Sequence, residues 1–343
     1  MDQVKIRFGK NQGMVLILAL WILSILAVFA GLSGIRVRQK IAMVSRLEKR
    51  DEVHYIAQTG VQLARALLTN RLADASGLNV EAMAFLFQQP EVFQKVASNN
   101  GSVQVSYLNY DSGITSPVRM FGVQDEERKL NLNTASDKEL TRLLIVAAGL
   151  DEDSAEDIAH AIVDWRSEQD QQISGFYGDE YYSRLNFPYD PKKAPFEVLE
   201  EMMLVKGMNP MIFDRVRDFL TVYGDGQVNI NTASEPVLQA LGLSANMAGM
   251  IIAARHGSDH LPCTDDDRLF ADSGASLDVG ALGELDPDQL AEIDRLYQDG
   301  RFSVFSEIFH IHAEAVLATG QEKRFIDCVV QGRDGKILAW HEY

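Results

Sequence analysis

The sequence predicts an α+β protein: one long N-terminal helix packed on an antiparallel sheet, with a large all-α block interrupting that sheet. Three observations predict it. From Met14 to Ile35 the chain carries no charge, and a stripe of apolar residues at helical spacing follows. Segments with period-two alternation stand just after residue 100 and again after residue 300. Between them, about 165 residues carry helical periodicity and a repeated Asn-x-Asn-Thr-Ala-Ser motif.

Charge divides the 343 residues unevenly. The whole chain has 49 acidic against 32 basic side chains, a net of −17. Its first 50 residues hold nine Lys or Arg against two acids, which leaves −24 on the rest. Phosphate-backbone affinity comes from clustered Lys and Arg, so the balance argues against a general nucleic-acid binder. With 46% hydrophobic and 24% charged residues the chain is globular rather than disordered. Two cysteines are too few for a disulfide scaffold or a four-thiolate zinc site.

The first element is the apolar run. As a helix it spans about 33 Å, enough for a bilayer core of about 30 Å. Lys5, Arg7 and Lys10 precede it against Asp2 alone, so the N-terminus is expected in the cytoplasm and the acidic bulk across the membrane. Two cuts compete. Val28-Phe29-Ala30 offers a secretory signal site, although the apolar run is long for one. The other cut lies at the start of the run, after Gly13, which leaves Met14 as the new N-terminus. Arg36, Arg38, Lys40, Arg46, Lys49 and Arg50 then form a solvated helical neck. Val53, Ile56, Ala57, Gly60, Val61, Leu63, Ala64, Leu67 and Leu68 follow with the spacing of a helix packed on one side. No Pro precedes Pro90, so the helix is expected to continue unbroken from about Met14 to Asn70.

Strands are predicted next. Val103, Val105 and Tyr107 alternate with polar neighbours over residues 101–109, and Val118–Val123 reads as a second strand after the Asp111-Ser112-Gly113 turn. The helical block begins at Asn131. Its motif, Asn131-Leu132-Asn133-Thr134-Ala135-Ser136, returns as Asn229-Ile230-Asn231-Thr232-Ala233-Ser234. Each copy precedes an apolar helix, a Gly-Leu pair (149–150 and 242–243) and another helix. The polar run is suited to capping free N–H groups, and the Gly to ending the helix in a left-handed turn. Arg301–Ile311, Arg324–Val330 and Lys336–His341 are the closing strands, the last after the 332–335 turn.

Several constellations invite chemistry. Asp164, Glu168, Asp170, Asp179 and Glu180 line a Gly-containing stretch, and a hard cation such as Ca²⁺ takes six to eight such oxygens in flexible geometry. The EF-hand spacing is missing, and a solvated acidic loop is the plain alternative. Asp265, Asp266, Asp267, Asp272, Asp278, Glu284, Asp286 and Asp288 form a second acidic stretch, a flexible loop or a further cation site. His256 and His260 lack the zincin order, and His310 and His312 share a strand face. Cys263 and Cys328 would both lie outside the cytoplasm, as a disulfide or as two buried thiols. No nucleophile elbow, phosphate loop or dinucleotide fingerprint is present, so no enzyme is expected.

A short basic leader closing on Gly13, directly before the hydrophobic Met14–Ile35 helix and its amphipathic continuation, resembles the type IV pilin-like family. The strands–helices–strands layout, and the segment from Asp164-Trp165 through Tyr181-Tyr182, Pro188-Tyr189 and Ala194-Pro195-Phe196 to Glu200-Glu201, resemble minor pseudopilin K of the bacterial type II secretion system. Leu18, fifth from Met14, stands where most pilins carry Glu, and pseudopilin K is known for that departure. The resemblance implies a pilin-like sheet carrying a SAM/helix-hairpin-helix-like insert. Its expected divisions are a prepilin leader (1–13), a transmembrane segment (14–35), a long helix and first strands (36–130), an inserted helical domain (131–300) and closing strands (301–343). It further implies cleavage after Gly13 by prepilin peptidase with methylation of Met14, and a structural calcium at the Asp164 loop. Arg166 and Gln169 sit where that region is expected to be more acidic. The implied role is a cap on the tip of the secretion pseudopilus that initiates its assembly. Its partners would be the I and J minor pseudopilins and the inner-membrane secretion platform, in the inner membrane with the head in the periplasm. The rival reading is a membrane-tethered helix-hairpin-helix DNA-binding or uptake protein. Residues 131–170 carry ten acids against three Lys or Arg, which repels phosphate and weighs against it.

Overall fold

Helix α1 runs from Gln12 to Ala73 without interruption, as a stretch free of Pro permits. In the computed structural model, residues 12–73, 86–111, 115, 117–167, 178–272, 277–283, 285–320 and 322–343 are described. Of Gln12, Ala73, residues 178–180, Asp272 and Ala281 only the backbone is described. The chain divides into two units, Met1–Tyr55 and Ile56–Tyr343.

The first unit is the helical segment that leads α1. Its apolar side chains stand exposed, among them Leu16, Trp21, Leu26 and Phe29. An 18-residue window reaches a mean hydropathy of 2.8, long and apolar enough to cross a membrane as a single span. The basic leader residues Lys5, Arg7 and Lys10 lie outside the described residues.

In the second unit, Ile56, Ala57, Val61, Ala64 and Leu68 of α1 are buried, one face of the helix as the stripe requires. That face packs on an antiparallel sheet. Its strands are β1 (Val96–Ser98), β2 (Gly101–Val105), β5 (Gln124–Asp125), β12 (Ile308–Leu317), β13 (Lys323–Gln331) and β14 (Ile337–Glu342). The order is β1-β2-β12-β13-β14, with β5 beside the start of β12. Along β12, Phe309, Ile311, Ala313, Ala315 and Leu317 turn inward while Ile308, His310, His312, Glu314 and Val316 face outward. Gly60 lets α1 approach the sheet. A Cβ there would stand 2.6 Å from Val103 Cγ2.

The sheet is closed by strands far apart in sequence. Ala313 pairs with Val105, and Phe309 with Asp125, so β12 returns to the strands the chain left before the helical block. The regular structure of the excursion between β5 and β12 is mostly helical. It holds α2 (Asp137–Leu143), α3 (Glu152–Arg166), α4 (Gly178–Ser183), α5 (Pro210–Val216), α6 (Glu235–Ala240), α7 (Ala245–Arg255) and α8 (Pro287–Gln298). Its continuous core runs from Leu130 to Phe302 and includes Leu140, Ile162, Trp165, Phe219, Leu238 and Ile251.

Several strand expectations change: the strand expected over 101–109 divides at Ser106 between two sheets, and the one expected to end at Ile311 runs on to Leu317. β4 covers only Val118–Met120 and pairs with β3 (Tyr107–Asn109) in a separate ribbon. Beyond it the backbone bonds the 86–89 segment instead: Gln89 N donates to Phe121 O, and Val123 N to Leu86 O. The stretch 301–311 splits into β11 (Phe302–Ser303) and β12, because Ser303 Oγ bonds the backbone of Phe305 and turns the chain. Two short parallel pairs also arise. β6 (Leu130–Asn131) lies beside β7 (Leu220–Thr221), and β8 (Val228–Asn229) beside β11. A short antiparallel pair, β9 (Ala271–Asp272) with β10 (Leu277–Asp278), stands within the insert.

Candidate functional site

The repeated motif builds two copies of one backbone clamp. In the first, Asn131 Oδ1 accepts from Asn133 N at 2.8 Å, fixing the turn before α2. Asn133 then brackets the backbone of Phe196, accepting from its N at 2.7 Å and donating to its O at 2.9 Å. Arg166, from the last turn of α3, donates to the carbonyls of Leu132 and Ala135. In the second copy Asn229 Oδ1 accepts from Asn231 N at 2.9 Å, and Asn231 brackets Phe270 at 2.8 and 3.0 Å. Arg255 of α7 donates to Ile230 O and Ala233 O at 2.9 and 2.8 Å. Each polar side chain thus occupies backbone groups that would otherwise be buried unpaired. The duplication extends to the pairings, since β6 returns at β7 and β8 at β11.

The caps differ between copies. Ser136 forms a full capping box with Glu139. Ser234 occupies the same position before α6 without a side-chain cap bond: Val237 rather than Glu stands three residues on, and its N–H bonds Ser234 O. Gly149 and Gly242 both have positive φ, 70° and 115°, and end their helices in the left-handed turn. Cations beside these hairpins reach helix-end carbonyls while staying exposed. Arg215 Nη1 bonds Ala148 O at 2.6 Å, and Arg142 Nη1 lies 3.4 Å from Ala240 O. Asp151, at the first hairpin, caps α3 through Ser154 N. These groups cap helix ends.

Asp164 stands near the end of α3 and is buried. Lys193 Nζ lies 3.1 Å from its Oδ1. Lys193 itself has φ of 50°, a conformation costly for a side chain with a Cβ, so the loop is held in strain around this pair. Asp164 Oδ2 is buried and has no hydrogen-bond partner among the described residues. An aromatic wall flanks it: Trp165 meets Tyr182 and Tyr189 with ring centres 5.5 and 6.2 Å apart. Tyr182 accepts from Lys206 N at 3.0 Å, and burial pushes its hydroxyl pKa up to about 12. Lys192 reaches both oxygens of Glu201, at 3.0 and 2.9 Å.

Of the residues singled out as calcium ligands, Asp164 alone is described with its side chain. Glu168 and Asp170 lie outside the described residues, as do the side chains of Asp179 and Glu180 in α4. Arg166, which sits where a more acidic residue was expected, belongs to the clamp. Lys193 is a member of the site that sequence reasoning missed. Nothing in its neighbours marks a lysine that folds back onto a carboxylate of α3.

The second acidic stretch is occupied locally. Asp266 Oδ2 accepts from Ser258 N, Ser258 Oγ and Asp259 N, and Asp267 Oδ2 from Cys263 N. Asp286 caps α8 in a capping box with Gln289. Glu284 and the side chain of Asp272 lie outside the described residues. Cys263 and Cys328 are both free thiols, which corrects the disulfide expectation. Different charged groups surround them, Asp267 and Asp111 beside Cys263 and Arg65 and Asp327 beside Cys328. Burial pushes the two thiols up to about 12 and about 11, so neither is a ready nucleophile.

Asp111 ties β3 to the second clamp. His256 Nε2 lies 3.1 Å from its Oδ2, Arg255 Nη2 3.5 Å away, and Arg128 Nη2 is 3.4 Å from Oδ1. Burial opposes its charge, but Arg255, the His256 bond and Arg128 together hold it below the usual carboxylate range.

Comparison with known proteins places this geometry. Residues 123–225 match the family model described as type II secretion system (T2SS), protein K. That range holds the first clamp, Asp164 and Lys193. In fold the chain is similar to GspK of a solved structure, the crystal structure of the GspK–GspI–GspJ complex from the type 2 secretion system of enterotoxigenic Escherichia coli. The TM-score is 0.63 at 14% identity, over 88% of this chain and 99% of the other. No curated protein matches the chain. A segment similar to the protein K model is thus carried on an α+β fold similar to that of GspK.

Proposed function

We propose that this chain acts as a minor pseudopilin of the K type, a structural subunit at the tip of a type II secretion pseudopilus and not an enzyme. The observation that carries the proposal is the combination in one chain of a single apolar span, a sheet interrupted by a helical insert, and the protein K segment within that insert. Prepilin peptidase would cut after Gly13, and the span would hold the precursor in the inner membrane with the acidic head in the periplasm. Leu18 supports the tip position. A mature chain without a carboxylate at its fifth residue offers no intramembrane partner to the N-terminal ammonium of a subunit above. The solved GspK is named in a complex with GspI and GspJ, which supports I- and J-type minor pseudopilins as the partners of this head. The inner-membrane platform would then receive the assembled tip.

Structural calcium at the insert belongs to the same proposal. The buried, unpartnered Asp164 Oδ2 is an oxygen in the state such a ligand needs, and Lys193 balances the other oxygen of the same carboxylate. Bound there, the cation would order the loop after α3. Glu168, Asp170, Asp179 and Glu180 are the further candidate ligands.

The test is assembly. The full chain, produced with prepilin peptidase and with I- and J-type minor pseudopilins, should copurify with both in detergent and carry Met14 as its N-terminus. An N-terminus that never becomes Met14, or a head that captures neither partner, overturns the reading.

A further inference from the structure

The charges of α1 beyond the apolar run fall into two groups. Arg36, Arg38 and Lys40 come first, all exposed, and no acid stands between Met14 and Leu47. Arg46, Lys49 and Arg50 follow, interleaved with Glu48, Asp51 and Glu52, three charges of each sign. The second group is balanced within its own two turns of helix. The first has three cations and no carboxylate on its own stretch of helix to offset them.

Position decides what can offset them. With a rise of about 1.5 Å per residue, the three side chains leave α1 about 2–8 Å beyond Ile35, the end of the apolar run. The polar layer of a bilayer is about 5–7 Å deep on each side of its hydrocarbon core, so a spanning run puts them at headgroup depth. Val37 and Ile41 stand exposed between them and carry apolar surface into the same layer. Lys and Arg stems can lie along such surface with their charge at the phosphates. The three cations also spread around the helix axis. At about 100° per residue, Lys40 lies about 40° from Arg36, and Arg38 about 160° from it. A protein surface meets one face of a helix, whereas a headgroup layer surrounds it.

We propose that Arg36, Arg38 and Lys40 form a collar that binds the headgroups of anionic phospholipids in the leaflet on the head side of the span. The proposal rests on Met14–Ile35 crossing the membrane and not on the pseudopilin partners. A zwitterionic headgroup already pairs its phosphate with its own ammonium. An anionic headgroup leaves that phosphate to the protein, and Arg can take it through two parallel N–H groups. Each Lys or Arg close to an anionic surface strengthens association about fivefold, so three together select anionic lipid. The residues after 50 carry −24 and are repelled by the same surface. On the head side, attraction to anionic lipid is therefore concentrated in the collar.

The test uses the full, uncleaved chain in phosphatidylcholine vesicles carrying a trace of spin-labelled phosphatidylglycerol or spin-labelled phosphatidylcholine. Electron paramagnetic resonance reads the labelled lipid immobilised at the protein. At low salt the phosphatidylglycerol should associate at least about fivefold more strongly than the phosphatidylcholine, and added salt should reduce that preference. Arg36→Gln/Arg38→Gln/Lys40→Gln should lose most of it, at exposed positions where Gln keeps the helix. Lys5→Gln/Arg7→Gln/Lys10→Gln removes the same charge at the other end of the run and should retain the preference. An unchanged preference in the first variant overturns the proposal. So does a preference abolished by inorganic phosphate at constant ionic strength, which would mark a site for free anions. Cross-linking of chains in pure phosphatidylcholine vesicles, lost in the first variant, would assign the cations to another copy's acidic surface and overturn it too. Alkaline carbonate that strips the chain from the vesicles sinks the span and the collar together. A chain that stays embedded without lipid preference sinks the collar alone.

Discussion

Asp164 and Lys193 form a buried pair whose halves depend on one another. Removing one partner strands the other charge, a loss of about 3–5 kcal/mol. Lys193→Met should therefore destabilise the head strongly in urea unfolding, and the double variant Asp164→Asn/Lys193→Met should recover part of the loss. Calcium adds a second readout. Chelation should lower the melting temperature of the unaltered chain and leave that of Asp164→Asn unmoved; equal shifts in both would rule out Asp164 as a ligand. Glu127 carries the pH dependence. Burial, then the nearby Asp125, pushes its pKa up to about 7, and its carboxylate accepts from Glu307 N at 2.5 Å. The folded chain thus keeps a proton that the unfolded chain releases above about pH 4.5. Its contribution to stability is full below that value and is lost as pH rises to about 7, a ceiling of about 3 kcal/mol. Glu127→Gln should flatten this slope, measured by denaturation at several pH values. Asp164 was legible as a candidate because acidic residues cluster after α3. Glu127 was not, because its shift comes first from burial, which only the folded chain decides.

Among the elements, α1 and the clamps carry the sharpest expectations. Gly60 lets α1 lie close on β2, so Gly60→Leu should push the helix off Val103 and cost about 1–3 kcal/mol or more, read as a lowered melting temperature. Asn231 is buried and bonds the backbone of Phe270 and Val304 O. Asn231→Ala should cost about 1–3 kcal/mol for each group it leaves unpaired, and Asn133→Ala should act the same way at Phe196. Equal small effects in both would show that the repeat is not a clamp. The helical period and the Gly-terminated helices were readable, since each is a local rule of spacing or conformation. The shortened β4 and the break before β12 were not. They depend on which backbone groups meet residues 86–89 and Ser303, and strand propensity says nothing about that competition.

At the scale of the whole molecule, the order of segments foretold the architecture. A charge-free span behind a basic leader, and strands on either side of a helical block, admit few arrangements once each apolar face has to be covered. Coexpression with prepilin peptidase should convert the chain to one beginning at N-methylated Met14, detected by intact-mass measurement. Loss of that shift in a peptidase-deficient host ties the cut to that enzyme. By itself, the sequence determined the apolar run, the face of α1 that packs, the motif that recurs and the separation of a basic N-terminal segment from an acidic remainder. Composition and period state these directly. Only the tertiary structure decided that Arg166 and Arg255 are matching clamps, that Lys193 returns to Asp164, and that the two cysteines stay apart. Each of these depends on which distant segments register against one another, and register is chosen by the packing of the whole core.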